Sequence, residues 1–169
     1  MAGTVALYLI RHGIAEERGS DWPDDAKRPL TGKGRARLRD QAAGLTVLGV
    51  TLDVVLTSPL TRARQTAAIL AKGLPGRCPV EIMEALSPGS SYRRFLHELA
   101  GHAGRARIGC VGHEPDMGEL AARLIGAARA LEFKKGAVCR IDLDALPPSG
   151  PGALRWLAPP RMLRLMAHR

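Results

Sequence analysis

A chain of 169 residues, 46% of them hydrophobic, can close a continuous core without disulfides or metal staples, and residues 1–169 read as one domain. Its 25 Lys and Arg against 16 Asp and Glu leave a net charge of +9, which admits an acidic or phosphorylated partner; scattered arginines, 4% aromatics and no helix-turn-helix, RNA-binding or zinc-finger pattern argue against nucleic acid. Every apolar segment falls short of the roughly 20 residues that span a bilayer, and no basic stretch precedes the first of them, so a soluble, cytoplasmic chain with no membrane partner is expected.

The first apolar run, "VALYLI", has the composition of a buried strand and ends abruptly in Arg11, His12 and Gly13. A polar loop containing Asp21 and Trp22 follows. "RPLTGKGRARLRDQAAGL" then carries Leu38, Ala42 and Leu45 at helical spacing, with Thr31 as N-cap. "LDVVLTS" reads as a second strand and "SPLTRARQTAAILAKGL" as its helix, starting with Ser58 as N-cap and Pro59 at the first helical position.

"CPVEIM" is the third strand, "EALSPGSS" a loop and "YRRFLHELAGHA" an amphipathic helix. "ARIGCVG" is a compact fourth strand that again ends in a histidine, His113, ahead of the helix "MGELAARLIGA". "AVCRIDLD" and "ALRWLA", joined by a Pro/Gly-rich turn, predict a closing hairpin. In "RMLRLMAHR" the apolar Met162, Leu163, Leu165 and Met166 predict a docked helix. Alternating strands and helices predict a three-layer α/β/α sandwich with a mostly parallel, mixed central sheet.

Cys78, Cys110 and Cys139 are odd in number, widely spaced and in apolar settings, as expected of reduced core thiols. His97, His102 and His168 sit in no motif and read as surface histidines. The remaining odd residues fall at the carboxyl ends of the strands, where open α/β sheets build their sites. Arg11 and His12 end the first strand, His113 ends the fourth, and Arg62 lies in the first turn of the second helix. Two imidazoles and two guanidiniums without a matching carboxylate call for an anion, and phosphate suits the planar fork of arginine and the N–H groups of a helix start. A neutral imidazole there can act as nucleophile, with arginines stabilising the transferring group. Arg64 is the rival of Arg62, but about 200° of helical rotation turns it away. No metal is expected, because the arginines beside these histidines would repel a cation.

These motifs resemble those of the histidine phosphatase (phosphoglycerate mutase-like) superfamily: "LIRHG" its signature, "LTSPLTRARQTA" its second-arginine segment, and "VGHEPDM" its second-histidine segment. Short length, "RPLTGKG", "LSPGSS", "VGHEPD", "FKKGAV" and "LRWLAPP" resemble the small phosphohistidine phosphatase branch, the SixA type. The resemblance implies a cofactor-independent hydrolase in which His12 is phosphorylated in turnover and Arg11, Arg62 and His113 complete the phosphate pocket. It implies a phosphohistidine-bearing phosphotransfer protein as substrate. A small phosphoester is the alternative, and a non-catalytic module binding phosphate or acidic partners is an alternative of another class. For the general acid the candidates are Glu84, on the loop after the third strand, and Glu114, with Asp116 as a further rival. No long insertion follows the third strand to serve as a lid.

Overall fold

A computed structural model describes residues 4–168. Strands β1 (Val5–Arg11), β2 (Val54–Thr57), β3 (Val80–Ile82), β4 (Arg107–Gly112), β5 (Val138–Leu143) and β6 (Ala153–Ala158) form one sheet in the order β3-β2-β4-β1-β5-β6. The first four in that order run parallel; β5 is antiparallel to β1, and β6 to β5. The expected closing hairpin is therefore present, and it makes the sheet mixed. The helices are α1 (Gly32–Val47), α2 (Thr61–Gly73), α3 (Tyr92–Ala100), α4 (Asp116–Ile125) and α5 (Pro160–Met166), with 3₁₀ turns at Asp25–Lys27 and Glu84–Leu86.

The run "VALYLI" is continuously apolar because β1 is buried on both faces. Its alternate side chains divide between two cores. Val5, Leu7 and Leu9 join Phe95 and Leu99 of α3 and Leu120 and Leu124 of α4. Ala6, Tyr8 and Ile10 join Leu45 of α1, Leu70 of α2 and Leu163 of α5. This is the expected three-layer α/β/α arrangement. Cys110 and Cys139 are buried and Cys78 is half-buried, all as free thiols; burial pushes Cys139 up to about 12 and Cys110 higher still.

Thr31 caps α1 as expected, its Oγ1 accepting from the Gly34 amide at 2.8 Å. The start of α2 differs from expectation. Leu60, not Ser58, is the N-cap residue, and Pro59 precedes the helix. Ser58 has lost the capping position to a tertiary partner described below. The C-terminal helix docks as expected, yet of its four apolar residues only Leu163 is fully buried, while Met162 and Leu165 are 53% and 59% exposed. It lies so close to α1 that a Cβ on Gly44 would strike the Leu163 carbonyl, which is why glycine stands there. Among the described residues no helix is long and apolar enough to cross a membrane.

Candidate active site

Parallel pairing of β1 with β4 sets Arg11 opposite Gly112, so the residues that follow, His12 and His113, emerge side by side at the carboxyl edge. Their rings are 5.2 Å apart, centre to centre. The chain is pinned on both sides there: the His12 amide donates to the Gly112 carbonyl at 3.0 Å, and the Gly136 amide to the His12 carbonyl at 3.0 Å. Gly13 lets the loop pass close to α1, since a Cβ would sit 2.7 Å from Cδ1 of Leu38 and that side chain would have to shift. Its amide donates to Thr66 Oγ1 (3.0 Å), which in turn donates to the Arg62 carbonyl (2.8 Å). One hydroxyl thus ties the loop after β1 to the first turns of α2.

Arg62 is 3% exposed. Its Nε lies 3.3 Å from His12 Nε2, its Nη1 donates to the Asp25 carbonyl at 2.9 Å, and its Nη2 donates to Asp25 Oδ2 at 3.1 Å. Arg11 donates from Nη1 to the Phe133 carbonyl at 2.7 Å. Arg11, His12, Arg62, His113 and Glu114 border one cavity of about 470 Å³, together with Asp25, Arg28 and Lys135. Among the described residues, buried Arg11 Nε and His113 Nδ1 have no hydrogen-bond partner. Such unmatched polar atoms beside two arginines suit a ligand rich in acceptor oxygens.

The first half of the chain, residues 7–87, matches the model of the histidine phosphatase superfamily (branch 1). The phosphohistidine phosphatase SixA of Escherichia coli is 29% identical over 162 residues, covering 94% of this chain and 96% of its own. The solved structure of a protein histidine phosphatase SixA complexed with tungstate superposes with a TM-score of 0.83 at 28% identity, over 94% of this chain and 99% of the other. An uncharacterized protein of a Picosynechococcus strain is 45% identical over 117 residues, 68% of this chain and 70% of its own. The chain belongs to the histidine phosphatase superfamily. It is a hydrolase, and its likeness is to the SixA type.

Within this histidine phosphatase both cavity imidazoles are held neutral. Burial, reinforced by the charges of His113, Arg62 and Arg11 against the Gly13 carbonyl, lowers His12 to about 3. Burial and Arg62 lower His113 to about 4. Their tautomers follow from their neighbours. The Gly13 carbonyl, 2.7 Å from His12 Nδ1, can only accept, so the proton sits on Nδ1 and Nε2 keeps its lone pair. Ser58 Oγ accepts from the Leu60 amide at 3.2 Å and stands 2.8 Å from His113 Nε2. That hydroxyl can give its own proton to Nε2 while accepting from Leu60, the arrangement that places the imidazole N–H at Nδ1.

The carboxylates are the least expected part of the site. Glu84 does not border the cavity, and Asp116 turns away to accept from the Gly89 amide at 2.8 Å. Glu114 does border it, with Oε1 accepting from the Gly118 amide at 2.7 Å. Burial raises its pKa from the ordinary value, against the amides of Gly118 and Phe133 and the charge of Arg11. Asp25, absent from the sequence reading, accepts from Arg28 Nε at 2.9 Å as well as from Arg62. Burial alone would raise Asp25, but the Arg28 hydrogen bond and the charges of Arg62, Arg28 and Arg18 outweigh it and hold the carboxyl below its ordinary value. Arg64 is exposed, as helical rotation predicts, whereas Trp22 is half-buried away from the cavity lining. Among the described residues no three His, Cys, Asp or Glu side chains come together as metal ligands.

Proposed function

We propose that this histidine phosphatase removes phosphoryl groups from phosphohistidine on a phosphotransfer protein, through a phosphohistidine formed transiently on His12. The observation that carries the reading is the environment of His12: neutral, its proton committed to Gly13, and its unprotonated Nε2 accepting from Nε of Arg62 at 3.3 Å. A phosphoryl group entering there would have its non-bridging oxygens met by Arg11, Arg62 and the Nδ1–H of His113. Donors placed around the transferring group favour the transition state more than they favour the substrate.

Nε2 of His12 then attacks phosphorus as the substrate's P–N bond breaks, and the departing imidazole nitrogen takes up a proton. Glu114, raised by burial and bordering the cavity, is the candidate source. Water next attacks the phosphorylated His12, its proton returning to the carboxylate, and inorganic phosphate leaves. Imidazole is a far better leaving group than an alkoxide, so a modest donor suffices. The likeness to SixA and the tungstate carried by a structural relative, a tetrahedral oxyanion, support this reading.

Metal-free turnover of a phosphohistidine-bearing protein, p-nitrophenyl phosphate and a sugar phosphate, each with wild type and His12→Ala, tests it. Fast, His12-dependent release from the protein with little from the esters is expected. Equal or faster ester turnover would move the function to small phosphoesters, and near-normal activity of His12→Ala would end the mechanism. Binding of phosphoprotein without release of phosphate would leave a recognition module.

A further inference from the structure

The catalytic cavity does not end at its rim. Lys135 borders it and also borders a small cavity behind Gly13 that is lined by Arg37, Arg161 and Arg164. Arg161 in turn borders an open groove of about 500 Å³ lined by Lys134, Val47, Met162 and Leu165. These shared residues make one surface running from the nucleophile, over the start of α5, onto that helix's outer face. Beyond the catalytic cavity, which is itself bordered by Glu16, Glu17, Asp25 and Glu114, its lining contains five cations and no Asp or Glu. None of the five is in an ion pair among the described residues. Asp40 is a carboxylate that acts on Arg164, and it is outweighed by burial and by the charges of Arg37 and Arg161.

Unpaired like charges held together, beside apolar side chains left in water, form a surface shaped for something else. Val47 is 60% exposed, comparable with Met162 and Leu165 on α5. The opposite flank of the catalytic cavity is different: between α3 and α4, Asp116 and Glu119 are mixed with Arg93 and Arg123. A second copy of this chain would bring the same cations and be repelled.

We infer that the α5 flank is the docking surface for the phosphorylated protein substrate, which presents acidic residues around an apolar centre next to its phosphohistidine. The inference rests on the phosphohistidine-protein reading above. Cations near the cavity steer the partner, and the apolar groove, farther out, holds it.

The test compares Arg161→Glu and Leu165→Glu with wild type and with a remote charge reversal, Lys72→Glu. The substrates are a phosphoramidate-phosphorylated histidine-phosphotransfer domain with an acidic face and the free amino acid phosphohistidine. Both α5 variants should raise KM for the protein by about tenfold or more with kcat kept. Turnover of free phosphohistidine should be unchanged, which also shows that the variants are folded. Lys72→Glu should behave as wild type, and salt should weaken turnover of the protein substrate alone. Equal losses on both substrates, no loss on either, or a wild-type dimer that Leu165→Glu dissociates would overturn the inference. Failure of the wild type on free phosphohistidine would instead overturn the chemistry on which the inference rests.

Discussion

Nε of Arg62 lies 3.3 Å from Nε2 of His12, while the two terminal nitrogens of the same guanidinium are held by the carbonyl and carboxylate of Asp25. The guanidinium is therefore fixed in plane before any phosphoryl group arrives, and preorganisation of this kind is what makes charge stabilisation effective. Arg62→Lys keeps the charge but loses the fork. Its kcat/KM should fall by about a hundredfold or more, mostly in kcat. Steady-state kinetics on a phosphohistidine substrate checks this.

Asp25→Asn should uncouple orientation from charge. The amide still accepts from Arg62, but the ionic pull on Arg62 and Arg28 is gone, so the guanidinium gains freedom. A fall in kcat of about tenfold, smaller than for Arg62→Lys, is expected from loss of one charge-assisted contact. An unchanged or faster enzyme would show that Asp25 merely opposes the anion.

Glu114→Gln separates leaving groups. If Glu114 supplies the proton, the variant should lose more activity as leaving-group pKa rises, most on alkyl phosphates and least on p-nitrophenyl phosphate and phosphohistidine. A uniform loss across the series would assign Glu114 to holding α4 through Gly118.

The two imidazoles give a pH signature. Folded, His12 and His113 bind protons only near about 3 and about 4, against 6.5 for an ordinary histidine. Between those limits the unfolded chain holds more protons, so stability is full above about pH 6.5 and declines as pH falls. In phosphate-free buffer the imidazole resonances of both residues, assigned by single substitution, should stay at their neutral positions from pH 8 to 5. The acid decline in melting temperature should be shallower in His12→Ala than in wild type.

Gly44→Val tests the α1–α5 contact. The added side chain meets the Leu163 carbonyl, and overpacking of this kind costs about 1–3 kcal/mol. Urea unfolding should show the loss, and small-substrate turnover at low denaturant should be largely kept, because the crossing point lies away from His12.

The catalytic edge was legible because its signals are local. Two-sided burial makes β1 a continuous apolar run, and nothing about leaving a core requires Arg11 and His12 at its end. The same contrast marks His113, and helical period separates Arg62 from Arg64. Asp25 was not legible: the loop before α1 holds Glu16, Glu17, Asp21, Asp24 and Asp25 with no period, and only the folded loop selects which carboxylate meets α2. Ser58 carried a genuine capping signature ahead of Pro59, overridden by its contact with His113. On the short helix α5, four apolar residues within five positions could not say which one faces inward.

β1 is laddered to β4 on one side and β5 on the other, and the amides of Arg11 and His12 are themselves bonded across to Ala137 and Gly112. Amides in such a position exchange with solvent only when the whole structure opens. The backbone that carries the nucleophile is thus the last part of the fold to open, and exchange at the Arg11 and His12 amides should occur only with global unfolding. The outer strands β3 and β6, each paired on one side only, lack that double ladder, and their amides should exchange earlier.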